Sequence, residues 1–152
     1  MAEFEMLNDN YLEAEKYYEN AIRLAPNSPT ILHTYADLKI LKGDYVTAIK
    51  YLKQIQSLGF LKKDTGLKLY DLFKKINLDF EATILLDSLK IKYTNDLDLL
   101  STLASDHYEN KEWTKLLSLY SDIFKLNLEQ DQIIIKIYEI GLATDNLDLV
   151  KK

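Results

Sequence analysis

Cysteine is absent from this sequence. That excludes a disulfide framework, a thiol nucleophile and any zinc site built on thiolates, while leaving the compartment open. Glycine and proline are scarce, at 4 and 2 among 152 residues, whereas an all-β domain of this length needs turn residues throughout. Long helices joined by short loops satisfy the same composition. No stretch approaches the roughly 18 consecutive apolar residues of a bilayer-crossing helix. The densest run, Ile133-Ile134-Ile135, is broken at once by Lys136, so membrane insertion is not expected.

Basic charge is also in short supply. Arg23 is the one arginine, and 24 acidic against 19 basic residues give a net charge of -5. Nucleic-acid affinity rests largely on Lys and Arg replacing counterions, so no nucleic-acid partner is expected. The pairs Lys62-Lys63, Lys74-Lys75 and Lys151-Lys152 read as solvated helix ends, where a cation suits the helix dipole. What the chain does have is apolar content: with 47% hydrophobic and 28% charged residues, it carries a core-forming composition rather than a disordered one.

That apolar content is periodic. Stepping 34 residues at a time from Ala14 leads to Ala48, Ala82, Leu116 and Val150 without a gap. Three before each anchor stand Tyr11, Tyr45, Asp79 (with Phe80 beside it), Trp113 and Leu147. Four after stand Tyr18, Leu52, Leu86 and Tyr120; seven after stand Ala21, Ile55, Leu89 and Ile123. These offsets line one face of an α-helix. The intervening halves carry a second helical pattern: Leu32, Tyr35, Ala36 and Leu38; Leu69, Leu72, Phe73 and Ile76; Leu100, Leu103, Ala104 and Tyr108; Ile134, Ile137, Tyr138 and Leu142. Pro26-Asn27-Ser28-Pro29, Lys42-Gly43-Asp44, Gly59, Asn95-Asp96, Asn110 and Asp145-Asn146 supply the breaks. A single hairpin of this kind cannot bury both apolar faces, so it must stack on the next. Small anchors at 14, 48 and 82 permit close helix approach; Leu116 and Val150 predict a wider crossing.

The segment Tyr11 to Asn27 resembles the second helix and closing Pro-Asn of the tetratricopeptide repeat family, and Gly43-Asp44-Tyr45-Val46-Thr47-Ala48-Ile49 resembles its loop and second-helix start. Further on, Phe60, Thr94 and Leu128 replace the closing proline, and periodicity carries the likeness. The resemblance implies an all-α fold: a right-handed α-solenoid of stacked antiparallel helix hairpins. The expected organisation is a single array over 1–152, with units 1–27 (partial), 28–61, 62–95, 96–129 and 130–152 (partial). Both ends then fall inside a repeat, so a fragment of a longer protein is expected, with Met1 to Phe4 as appended sequence. A cytoplasmic location is the default expectation. Apolar stacking faces left open at the ends predict self-association.

Catalytic chemistry is not expected. His33 and His107 lie two repeats apart without neighbouring ligands, short of a metal's three or four. Asp96 and Asp98 suit helix starts, as a counter-reading to a carboxylate pair with Asp106 and Glu109. Gly43, Gly59, Gly66 and Gly141 are isolated, outside any phosphate-loop pattern. Ser101, Ser105, Ser118 and Ser121 lack a nucleophile's context. Tyr11, Tyr18, Tyr45 and Tyr120 fall on core positions rather than on a base-stacking surface. No cofactor is implied.

The resemblance implies instead a partner peptide or protein lying along a concave wall made by the first helices. Transferred to this chain, that wall comprises Thr30, His33 and Asp37; Asp64, Leu67 and Asp71; Asp98, Ser101 and Ser105; and Gln132, Ile135 and Glu139. Its acidic and polar balance does not suit the Lys, Asn and Arg that carboxylate-binding members of the family use. A basic or mixed-charge segment is the expected ligand, with Leu67 and Ile135 as apolar anchors. The alternatives are an RNA-binding helical repeat of the pentatricopeptide kind, whose period is one residue longer, and a regulatory or docking part of a larger enzyme.

Overall fold

The computed structural model describes residues 10–125 together with Ile135 and Glu139. Seven helices are described: α1 (Tyr11–Leu24), α2 (Pro29–Leu41), α3 (Tyr45–Ser57), α4 (Lys63–Lys75), α5 (Asp79–Lys92), α6 (Leu97–Glu109) and α7 (Trp113–Lys125). No strand occurs among the described residues. The expectations that fall on Gln132, Ile134, Ile137, Tyr138, Leu142, Leu147 and Val150 lie outside those residues. The chain divides into two compact units, 1–87 and 88–152. In the first, α2 packs against α1 and α3, and α3 against α4; in the second, α6 packs against α7. Consecutive helices thus fold back on one another as antiparallel hairpins.

The residues at the chain reversals explain how loops of so few residues suffice. The Gly43 amide donates to the Ile40 carbonyl at 2.9 Å and the Asp44 amide to the Lys39 carbonyl at 2.8 Å, the paired bonds that close a helix through a left-handed residue. Gly43 has φ +74° and open space around its missing Cβ, so only the backbone angle requires glycine there. Asp44 then starts α3, its carboxylate accepting from the Thr47 amide at 3.1 Å. One short turn ends a helix and begins the next. The same bonding closes α4 at Asn77 (φ 59°) and α6 at Lys111 (φ 57°). Lysine pays about 1 kcal/mol or more for that conformation.

The periodic anchors among the described residues are in the core: Ala14, Ala48, Ala82 and Leu116 are fully buried, as are Leu32, Leu52, Leu69, Leu86 and Leu100 or nearly so. Tyr18, Tyr35 and Leu38 join Ala14 in one cluster, with Tyr11, Ile22, Ile31 and Tyr51 packed on it. Tyr35 sits between two other rings, 5.7 Å from Tyr18 and 5.0 Å from Tyr51, which joins α1, α2 and α3 through stacked aromatic area. Tyr11 and Tyr45, expected on core positions, are only half-buried, as are Ala21, Ile76 and Trp113, and two residues of the apolar pattern are exposed. Phe80 is 76% exposed and Tyr108 59% exposed; Tyr108 instead meets the edge of Trp113 at 5.6 Å.

A charged knot closes the α1–α2 contact. Glu15 of α1 bonds Lys39 of α2 and Lys42 just past its end, one with each carboxylate oxygen. Lys39 also lies 3.7 Å from Asp44 and 5.1 Å from the centre of the Tyr35 ring. Burial works against the Lys39 ammonium, but its bonds to Glu15 and Tyr35 outweigh that and hold its pKa above the ordinary value. Burial also pushes the Tyr35 phenol up to about 12. The two lysines hold the Glu15 carboxyl below the usual range.

Replacing Ala48, which is fully buried, with Leu is expected to cost about 1–3 kcal/mol by overpacking. Lys111→Gly should instead raise stability by about 1 kcal/mol by relieving the left-handed backbone. Urea denaturation midpoints measure both. Acid should weaken the fold for a definite reason. Glu15 and Asp44 release protons more readily folded than unfolded, so the unfolded chain takes up more protons as pH falls. Their contribution is complete above their ordinary values of 4.5 and 3.8 and is lost below them. Glu15→Gln should cost about 1–3 kcal/mol at neutral pH, and its deficit relative to the parent should shrink as the parent itself is acidified.

Candidate functional site

The expected wall residues of unit 1 come from α2 and α4. Thr30, His33 and Asp37 are spaced i, i+3, i+7, as are Asp64, Leu67 and Asp71, so each set lines one side of its helix. Thr30, Asp64 and Asp71 are exposed, and His33, Asp37 and Leu67 are half-buried. Pro29 at the first position of α2 is preset for a helical start. Asp64 sits in the first turn of α4, where negative charge suits the helix dipole.

An ion pair absent from the sequence-based set joins these two helices. Asp37 accepts from Lys68 Nζ at 2.5 Å through one oxygen, and its other oxygen lies 3.2 Å from His33 Nδ1. The side chains of Asp37 and Lys68 are 33% and 36% exposed, so the pair is worth about 1 kcal/mol or less after screening. Asp37 is thus already committed within the wall. Lys68 carried no motif of its own; its place next to Leu67 on the same helix was the available signal.

Asp71 differs. Burial pushes its carboxyl above the usual range, opposed by the charge of Lys75 four residues on. No ion pair to Asp71 occurs among the described residues. Lys75 lies over the Tyr45 ring, 5.0 Å from its centre, where the ring's negative face attracts the cation. The result is an exposed acidic position beside Leu67, with its nearest cation held on an aromatic face.

Unit 2 has its own first helix, α6. Asp98, Ser101 and Ser105 are exposed on it, again at i, i+3, i+7. Ser105 donates to the Ser101 carbonyl at 3.2 Å, so its hydroxyl is used within the helix. Ile135 and Glu139 are exposed; Gln132 lies outside the described residues. Asp96 starts α6, accepting from the Leu99 amide at 3.1 Å. His107 is buried and its Nδ1 lies 2.8 Å from Glu112 Oε2, a contact that ties the end of α6 to the start of α7. Lys115 and His107 hold the Glu112 carboxyl below its ordinary value.

Among the described residues no cluster of three or more His, Cys, Asp or Glu is placed to hold a metal, and no helix is long and apolar enough to cross a membrane. Hairpins of paired helices, with small residues at the crossings and polar first-helix faces, define the class of helical-repeat proteins. Within that class the fold is the tetratricopeptide fold, and residues 5–58 match the tetratricopeptide repeat family.

Solved structures agree over nearly the whole chain. YrrB, described as a TPR protein with an unusual peptide-binding site, superposes with a TM-score of 0.71 at 13% identity, covering 98% of this chain and 77% of YrrB. MamA residues 41-end from Desulfovibrio magneticus RS-1 gives 0.68 at 15%, covering 99% and 85%. Pseudomonas aeruginosa PilF gives 0.66 at 12%, covering 99% and 68%. At these identities the likeness is one of fold. No curated protein matches the sequence. Tetratricopeptide folds commonly serve as protein-interaction scaffolds and are generally not enzymes.

Two carboxylates of the wall, Asp37 with an ion pair and Asp71 without one among the described residues, give a test of its geometry. Asp71, raised by burial, favours the unfolded state at neutral pH, so Asp71→Asn should leave stability unchanged or slightly higher. A double-mutant cycle on Asp37 and Lys68 should return a coupling of about 0.2–1 kcal/mol. Chemical denaturation of the single and double variants measures both.

Proposed function

We propose that the chain is a non-enzymatic scaffold that holds a basic or mixed-charge peptide or protein segment against its first-helix faces. The observation that carries this reading is Asp71. Its carboxylate is partly desolvated, exposed beside the apolar Leu67, and without an ion-pair partner among the described residues. A cation brought by a partner would relieve the cost of that burial, while an apolar neighbour of that cation would cover Leu67. Asp64, about two turns further toward the start of α4 on the same face, extends the acidic strip. Asp37 contributes less than its charge suggests, because Lys68 and His33 already engage it. In unit 2, Asp98 with Ser101 and Ser105, and the exposed Ile135 and Glu139, offer the same mixture of acid, hydroxyl and apolar surface.

The net charge of -5 favours this ligand over RNA, whose phosphates the same faces would repel.

A labelled peptide of alternating lysine and leucine tests the proposal by fluorescence anisotropy. Asp71→Asn is expected to weaken its binding roughly tenfold, or about 1.4 kcal/mol, and Asp37→Asn by clearly less. Binding should weaken with added salt and as pH falls into the carboxylate range, because protonated Asp71 has no charge to offer. Equal affinity for parent and Asp71→Asn, or tight salt-sensitive binding of single-stranded RNA, would sink the reading.

A further inference from the structure

Lys68 is set among the three acids of the unit 1 wall. On α4 it follows Asp64 by four residues and precedes Asp71 by three, the separations at which side chains of one helix meet. Its ammonium pairs with neither. It reaches across to α2 and bonds one oxygen of Asp37 at 2.5 Å, while Asp64 and Asp71 have no ion pair among the described residues. The charge that acts on the Asp71 carboxyl is that of Lys75, itself held over the Tyr45 ring.

A lysine seated on a wall carboxylate is the contact that a basic partner would make. A partner's cation arriving at Asp37 therefore gains only the difference between its own contact and the one it displaces. At Asp71 it gains the whole contact. Glu15 shows that one carboxylate of this fold holds two lysines, one on each oxygen. At Asp37 that second place is taken, because His33 Nδ1 lies 3.2 Å from the other oxygen. The Asp37 and Lys68 side chains are 33% and 36% exposed, so a partner reaches the pair but finds it occupied.

We propose that Lys68 sets the selectivity of the wall: by occupying Asp37 from within, it withholds a second acid from polybasic segments. The partner recognised is then a segment with one cation next to an apolar side chain, seated at Asp71 and Leu67. Specificity of this kind comes from what a site denies to competitors as much as from what it offers. The inference rests on the first-helix reading and adds to it which basic segments the wall favours.

The test compares two labelled peptides on the full chain by anisotropy at fixed pH and salt: the lysine–leucine peptide, and a counterpart in which every lysine but the central one is glutamine. Lys68→Met and Lys68→Gln should each raise the affinity ratio of the first peptide to the second about threefold, with the single-lysine peptide nearly unmoved. Adding Asp37→Asn to Lys68→Met should return the ratio to that of the parent. Lys50→Met, which removes the same charge from α3, should leave the ratio unchanged. Urea midpoints check that each variant is folded. A ratio that stays level or falls in both Lys68 variants, while Asp71→Asn still weakens binding, would overturn this inference and leave the first-helix reading standing. An equal rise in Lys50→Met would overturn it as well, since net charge alone would then account for the effect. Failure of the parent to bind either peptide, or indifference of both to Asp71→Asn, would overturn the first-helix reading and this inference with it.

Discussion

Close approach of successive helices at one small residue per repeat is the constraint on which the rest depends. Ala14, Ala48 and Ala82 have no exposed surface, and nothing larger than a methyl group separates their helices from what packs on them. Because the anchors return every 34 residues, each hairpin presents its apolar face where the next one needs it, and burial accumulates along the chain. Leu116 occupies the same position fully buried, so unit 2 meets the requirement with a larger side chain. The turns serve this spacing: with three-residue reversals such as Lys42-Gly43-Asp44, the hairpin has little freedom to slip.

Electrostatics then differentiates surfaces that the core leaves free. Between α1 and α2, charge is spent on architecture, where Glu15 holds Lys39 and Lys42. On the first-helix side, Asp37 is similarly absorbed by Lys68, and Asp64 and Asp71 are left exposed without an ion pair among the described residues. On the second-helix side, α3 has cations and no acid.

The fold was legible because its signals are redundant. Ala14, Leu52 and Leu86 could be placed in the core from spacing alone, and Asp96 as a helix start from its residue type. The misplacements have local causes. Phe80 and Tyr108 satisfy the apolar pattern in sequence, but each is one helical step off the buried face, and aromatic character does not fix the phase. Left-handed closures at Asn77 and Lys111 were hidden because neither residue demands that conformation as glycine does. The wall residues were legible as surface, since α2 and α4 expose or half-expose all six. Their pairing was not: that Lys68 would neutralise Asp37 depends on the angle and register between two helices, which no local pattern encodes.

These properties describe helical hairpins whose exposed side chains carry the proposed recognition. Backbone amide shifts of the isotopically labelled chain, recorded by NMR during titration with the lysine–leucine peptide, test that most directly. The expected perturbations concentrate on α2 and α4 around His33, Leu67 and Asp71, with α1 and the outward side of α3 unmoved. Perturbations centred on Val46 and Lys50, or an absence of any on α4, would contradict the assignment of the first-helix wall as the site for basic partners.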